Sequence, residues 1–213
     1  MTTRREHLLD AAIRVLGEHG VRAVTHRAVD AEAGLASGST ANHFSTREAL
    51  FAGIVERFSQ RERENFEEVA MSICPTSPAD LGRALAGAVK DSVGRHRVIT
   101  LSRYALLVES ANNPGLRAHM AAAGGRVNIW VANWLRMAGS TNPEHDTHVL
   151  GNYVTGLVLH NLAMPDPHFD PSDKIISLLE SLIPASTTKA PGRHDGAEQP
   201  DPIALTGEGH GPR

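Results

Sequence analysis

The chain has 213 residues, a formal net charge of −3, 41% apolar and 21% charged side chains, and a single cysteine, Cys74. That is enough chain for one large or two small domains with a real core, but it excludes a disulfide framework, a cysteine-rich zinc site and a generally basic nucleic-acid coat. No stretch approaches the roughly 20 apolar residues of a membrane span, and the N-terminal segment is amphipathic rather than a solid apolar run, so a cytoplasmic protein is expected.

Taken in order, the helical signals are dense. Leu9, Ala12, Ile13 and Leu16 recur at i, i+3, i+4 and i+7 and predict a first helix over residues 4–19, ended by Gly20. Thr2, Thr3, Arg4 and Arg5 precede it as an arm that could reach a phosphate or the minor groove, or else stay solvated. Thr25 is placed to cap a second helix over 26–33, and Gly34 sits where a C-cap tolerates positive φ. A third short helix follows over 37–44. Ser45-Thr46-Arg47-Glu48 has the form of a capping box and starts a fourth helix through Leu50, Ile54, Phe58 and Phe66 to residue 73. Roughly 25 residues at 1.5 Å each span about 37 Å, enough to link a head to a body.

Five more helices follow. Ser77 caps one over 79–93, and the next covers 96–111. Asn113-Pro114 and Asn142-Pro143 start helices that run to residues 137 and 164, with proline at the first helical position. The last covers 172–183 and is stopped by Pro184. Gly124-Gly125 costs about 1 kcal/mol per residue relative to Ala inside its helix, which points to close packing, a kink or a hinge. From residue 186 to 213 the composition turns to Pro, Gly and charge, and a disordered tail is expected. The fold class is therefore all-α, with a three-helix head and a larger helical body.

Residues 25–47 organise the rest. Two short helices flank a tight turn, and the second carries Ser39, Thr40, Asn42 and His43 where a merely soluble helix would carry Glu and Lys. Short hydrogen-bonding side chains let a helix enter a groove and reach base edges and phosphates, which is the helix-turn-helix pattern. Residues 1–50 hold six Arg and six acids, so the charge distribution has to supply any electrostatic footprint. The candidate DNA-facing set is Thr25, His26, Arg27, Ser37, Gly38, Ser39, Thr40, Asn42, His43 and Arg47. Thr25 and the second helix's N-terminus would hold a phosphate. Arg27 suits guanine or phosphate, Asn42 suits adenine, Gly38 allows close approach, and His43 and Arg47 anchor the backbone.

This segment resembles the TetR family of bacterial transcriptional regulators. The matching residues are Ala11-Ala12, Gly20, Thr25, Arg27, Ala33-Gly34-Leu35, Gly38, His43-Phe44 and Arg47-Glu48-Ala49-Leu50, spread over residues 4–58. Three positions depart from the family pattern. Ala41 stands where a DNA-touching Tyr is usual, Thr40 replaces a usual Leu, and Asp30 replaces a small apolar residue. The resemblance implies a head over 1–46, a connecting helix over 47–74, and an effector-binding and dimerisation body over 75–185. It also implies a homodimer on a near-palindromic DNA operator, most often a repressor released by a small-molecule effector. In such a dimer the last two helices would meet the partner. Val149, Tyr153, Gly156, Leu157 and His160 are candidates on one, and Ile175, Ile176, Leu179 and Leu182 on the other, although plain intrachain core is the alternative.

For the effector, Trp130 and Trp134 share a helix face at i, i+4 and, with Tyr104 and Asn128, are candidates to line a pocket, ordinary core again being the alternative. His145 and His148, with His160 beyond, have the spacing of paired ligands, but no acidic or cysteine partner completes a set, so no metal or other cofactor is expected. No nucleophile–base constellation appears, which argues against an enzyme. An interaction protein whose head has lost DNA binding is the other rival, motivated by Ala41.

Overall fold

The computed structural model of the chain describes residues 3–72 and 74–184, with the side chains of all but 62, 63, 65–72, 123 and 126. The described residues form α1 (Arg4–His19), a 3₁₀ turn (Val21–Ala23), α2 (His26–Glu32), α3 (Ser39–His43), α4 (Arg47–Ser72), α5 (Pro78–Val93), α6 (Arg97–Ser110), α7 (Pro114–Met137), α8 (Pro143–Ala163) and α9 (Ser172–Leu182). The fold is all-α, as the sequence predicts. The tail expected over 186–213 lies outside the described residues.

Local chemistry sets the helix ends. Ser77 accepts a hydrogen bond from the Asp80 amide at 3.1 Å, and Asn113 accepts one from the Leu116 amide at 3.0 Å. Two expectations are corrected. Helix α4 is capped by Thr46, whose hydroxyl accepts from the Ala49 amide at 3.1 Å, not by Ser45. Asn142 makes no side-chain cap, and Pro143 alone marks that start. A full capping box instead opens α1, where Thr3 and Glu6 satisfy each other's backbone amides.

Two apolar clusters carry the packing. In the first, Leu8, Leu9, Ile13 and Leu16 of α1 are buried against Val24, Val29, Phe44, Leu50 and Ile54, each such side chain stabilising by about 1.5–3 kcal/mol relative to exposure. Leu106 of α6 and Leu116 of α7 join that same cluster, so the head is welded to the body rather than tethered to it. The weld is tight: the Ser102 hydroxyl donates to the Ile13 carbonyl at 2.6 Å, and a Cβ on Gly17 would lie 2.2 Å from the Val98 carbonyl oxygen. Along the α1–α4 seam, Arg57 donates to both Asp10 carboxylate oxygens at 2.8 and 3.1 Å, with Arg61 3.3 Å from the same carboxylate. Bonding to Asp10 raises the Arg57 guanidinium above its ordinary value.

The second cluster joins Leu81 and Val89 of α5, Trp134 and Leu135 of α7, Leu150 and Leu162 of α8, and Ile175 and Leu179 of α9. Gly82 lets α9 come close, since a Cβ there would meet Ile176 Cγ1 at 2.5 Å. Among the α9 candidates for a dimer face, the intrachain-core alternative holds for two. Ile175 and Leu179 are fully buried inside their own protomer, and Ile176 lies against Gly82 of α5. Gly124 and Gly125 sit in an unbroken α7, where an added Cβ would meet nothing within 4 Å, so close packing does not explain them.

Candidate nucleic-acid interface and effector cavity

Helix α3 has only five residues, two faces, and no means of standing alone. Ser39 and Thr40 turn inward and are buried, with Phe44 behind them, while Ala41, Asn42 and His43 are exposed. Gly34 and Gly38, at φ +64° and +92°, make the turn that aims this short helix away from α2. Thr25 caps α2, its hydroxyl accepting from the Ala28 amide at 3.1 Å. Arg27 and Ser37 are exposed on either side of the turn.

Several members of the sequence-derived set are committed elsewhere. The Thr40 hydroxyl donates to Asp30 Oδ1 at 2.5 Å and the residue is wholly buried, so Thr40 is removed from the DNA-facing set. Arg47 is exposed but engaged within the head. Its guanidinium donates to the Val24 and Val21 carbonyls at 2.5 and 2.8 Å and lies 4.7 Å over the Phe51 ring, so it closes the 3₁₀ turn onto α4. His26 donates from Nε2 to the Phe44 carbonyl at 2.6 Å, tying α2 to the end of α3. Ser39 donates to the Ala36 carbonyl at 2.7 Å and accepts from Arg4 at 3.3 Å, which draws the start of α1 onto α3. Facing solvent are Thr25, Arg27, Ser37, Ala41, Asn42, His43 and, beside them, Arg47.

The acids of the head are largely spoken for. Glu6 and Asp10 face Arg57, and Glu32 accepts from Arg14 at 2.6 Å. Asp30 accepts three bonds, from the Gly38 amide at 2.8 Å, the Thr40 amide at 2.7 Å and the Thr40 hydroxyl. Burial pushes the Asp30 carboxyl up, but those bonds and the nearby His26 outweigh it and hold it below its ordinary value. A head of zero formal charge therefore has four of its six acids engaged within the fold, while Arg27 is exposed.

Two models of known families match the chain: "Bacterial regulatory proteins, tetR family" over residues 8–54, and "Tetracyclin repressor-like, C-terminal domain" over residues 76–185. The chain belongs to the TetR family. Solved TetR-like structures agree. The multidrug binding protein EbrR, complexed with ethidium, is 28% identical, with 85% of this chain and 99% of EbrR covered and a TM-score of 0.67. A TetR-family member from Streptomyces coelicolor A3, SCO1917, is 25% identical over 85% of this chain and 99% of its own, with a TM-score of 0.64. SCO7518 from Streptomyces coelicolor A3(2), a transcriptional regulator by description, shares the fold at a TM-score of 0.68 and 20% identity, over 85% of this chain and 98% of its own. A search of curated proteins gave no significant match.

In this TetR-family body, a cavity of about 290 Å³ opens among α4, α6, α7 and α8. Phe58, Tyr104, Leu107 and Met120 give it apolar walls, and Arg103, Ser110, Arg117 and Thr155 give it polar ones. Of the sequence candidates only Tyr104 lines it. Trp134 is buried in the second apolar cluster, Trp130 is half-buried one turn away, and Asn128 is exposed. The two tryptophans stand out by rarity, whereas Met120 and Thr155 carry no sequence signal and Phe58 is legible only as part of the apolar series of α4. Helix α8 presents Tyr153, Gly156, Leu159 and His160 to solvent, as does Met164 at its C-cap, with Val149 and Leu157 half-buried. His145 and His148 are exposed on the same helix, and no metal-holding group is found among the described residues. No helix of the described residues is long and apolar enough to cross a membrane.

Proposed function

We propose that the protein is a homodimeric repressor that binds a near-palindromic operator through α3 and is released by a small, largely apolar effector entering the body cavity. It would act in the cytoplasm. The observation that carries this reading is the division of α3, with Ser39 and Thr40 locked inward and Ala41, Asn42 and His43 turned outward. Asn42 offers an amide of the geometry that pairs with adenine, Ala41 a methyl for thymine, and Arg27 and Thr25 donors for phosphate. Leu182 is half-buried at the end of α9, and the exposed small and apolar residues of α8 supply the face for a second copy.

Helix α6 supplies the link between effector and operator. Its Arg103, Tyr104 and Leu107 line the cavity, while Ser102 and Leu106 on the other side are bound into the head. A molecule that shifts α6 must therefore shift α1 and, in a dimer, alter the spacing of the two heads. EbrR, the similar protein, is complexed with ethidium, proflavin and malachite green. Flat aromatic dyes are accordingly the first probes. The test measures dye affinity with and without a selected operator duplex, because linkage requires each ligand to weaken the other by the same factor. Equal dye affinity in both conditions would sink the effector-release reading.

A further inference from the structure

We propose that Asp30 is the positioning residue of the recognition helix: its buried carboxylate caps α3 from the neighbouring helix and thereby sets the face that meets DNA. The proposal rests on the DNA-binding reading of α3. The need for such a device follows from the chain. The N-cap of helix α3 is Gly38, which is in the left-handed region and has no side chain with which to cap its own helix. The Gly38 and Thr40 amides at that start would otherwise be orphaned, Thr40 in a site with no access to water. Asp30 Oδ2 takes the Gly38 amide at 2.8 Å, and Oδ1 takes both the Thr40 amide at 2.7 Å and the Thr40 hydroxyl at 2.5 Å.

Asp30 and Thr40 are 3% and 0% exposed, so the two bonds between them form out of water's reach, and the Gly38 bond is part-buried. Asp30 is itself held by α2, and α2 is tied to the far end of α3 by the His26 bond to the Phe44 carbonyl. A five-residue helix is thus pinned at both ends to one neighbour. The Asp30 and Thr40 departures from the family pattern are one feature, a carboxylate with its hydroxyl partner, in place of an apolar pair.

The consequence runs against simple electrostatics. Removing an acid from a DNA-binding head should tighten binding, because one repulsive charge is lost. If Asp30 positions α3, removing it should loosen binding instead. The experiment uses the full chain and an operator duplex selected by the wild type. Asp30→Ala is expected to weaken operator affinity at least tenfold. Asp30→Asn keeps one acceptor oxygen and is expected to fall between wild type and Asp30→Ala. It also keeps the test open should the alanine variant unfold. Amide hydrogen exchange supplies a readout without DNA: in both variants residues 38–43 are expected to lose protection while α5 to α9 keep theirs.

Tighter binding by either variant, or unchanged exchange at Gly38 and Thr40, would overturn the proposal. A wild type that selects no duplex would instead refute the DNA-binding reading. The exchange arm would then still decide whether Asp30 holds α3.

Discussion

Gly17 is the position where the seam between head and body can be tested most simply. It lies inside α1, and glycine in a helix interior is ordinarily destabilising by roughly 0.5–1 kcal/mol relative to alanine. Propensity alone therefore favours Gly17→Ala. Packing opposes it, because the new Cβ would stand 2.2 Å from the Val98 carbonyl oxygen, 2.8 Å from Val98 Cγ1 and 2.9 Å from the Ser102 hydroxyl. The nearest atom is backbone, so no rotamer change can make room and α6 itself must move. Overpacking of this kind costs about 1–3 kcal/mol, with this geometry at the upper end, which leaves a net loss of about 2–2.5 kcal/mol after the propensity gain.

Gly87 supplies the control. It lies inside α5 with nothing within 4 Å of an added Cβ, so Gly87→Ala should gain up to about 1 kcal/mol. At roughly 2–4 °C per kcal/mol for a chain of this size, thermal melts at equal protein concentration should place Gly17→Ala about 4–10 °C below wild type and Gly87→Ala slightly above it. Stabilisation of both by the same amount would refute the claim that α1 and α6 are in closest contact at Gly17.

The remaining expectations concern the α1–α4 seam, acid stability and assembly. Arg57→Met should cost about 1–3 kcal/mol, because it takes from Asp10 the guanidinium that bonds both its oxygens in a largely buried site; an unshifted urea midpoint would contradict this. On acidification, the Thr76 hydroxyl, Ser77 and Arg83 hold Asp80 at about 2, while Lys90 and Ser172 hold Asp170 well below the usual range. Thr3 and Arg57 likewise depress Glu6. These folded values lie below the unfolded ones, so the stabilisation is present above about pH 4 and is lost as pH falls through the depressed values. The melting temperature should be level from pH 7 to about 5 and decline towards pH 2; a decline that begins at pH 6 would require other groups. Gly156→Arg, which sets a long cation on the exposed face of α8, should convert a dimer to a monomer in light scattering with little change in helicity, whereas an unchanged mass would move the interface elsewhere.

Much of the fold could be read because helix ends announce themselves chemically. Ser77, Asn113-Pro114 and Pro143 mark starts that the structure keeps within a residue or two. What could not be read shares a cause, which is that a side chain's partner lies on another element. Arg47 was legible as a cation near the motif, but the carbonyls of Val21 and Val24 are brought beside it only when the 3₁₀ turn folds back. The apolar stripe of α9 was legible, but not that Gly82 of α5 leaves room for it. Asp30 and Thr40 stood out as separate oddities; a buried carboxylate ten residues from a buried hydroxyl was the signal that joins them. The cavity was beyond periodicity altogether, since Phe58, Tyr104, Met120 and Thr155 come from four helices.

The most direct measurement is nuclease protection by the full chain on duplexes selected from random DNA, run at about 50 and 200 mM salt. The expected result is a near-palindrome protected in two successive major grooves, about 34–36 Å apart, with affinity falling steeply at the higher salt. Failure to select any sequence, or protection indifferent to salt, would contradict the assignment of α3 as a DNA-reading helix.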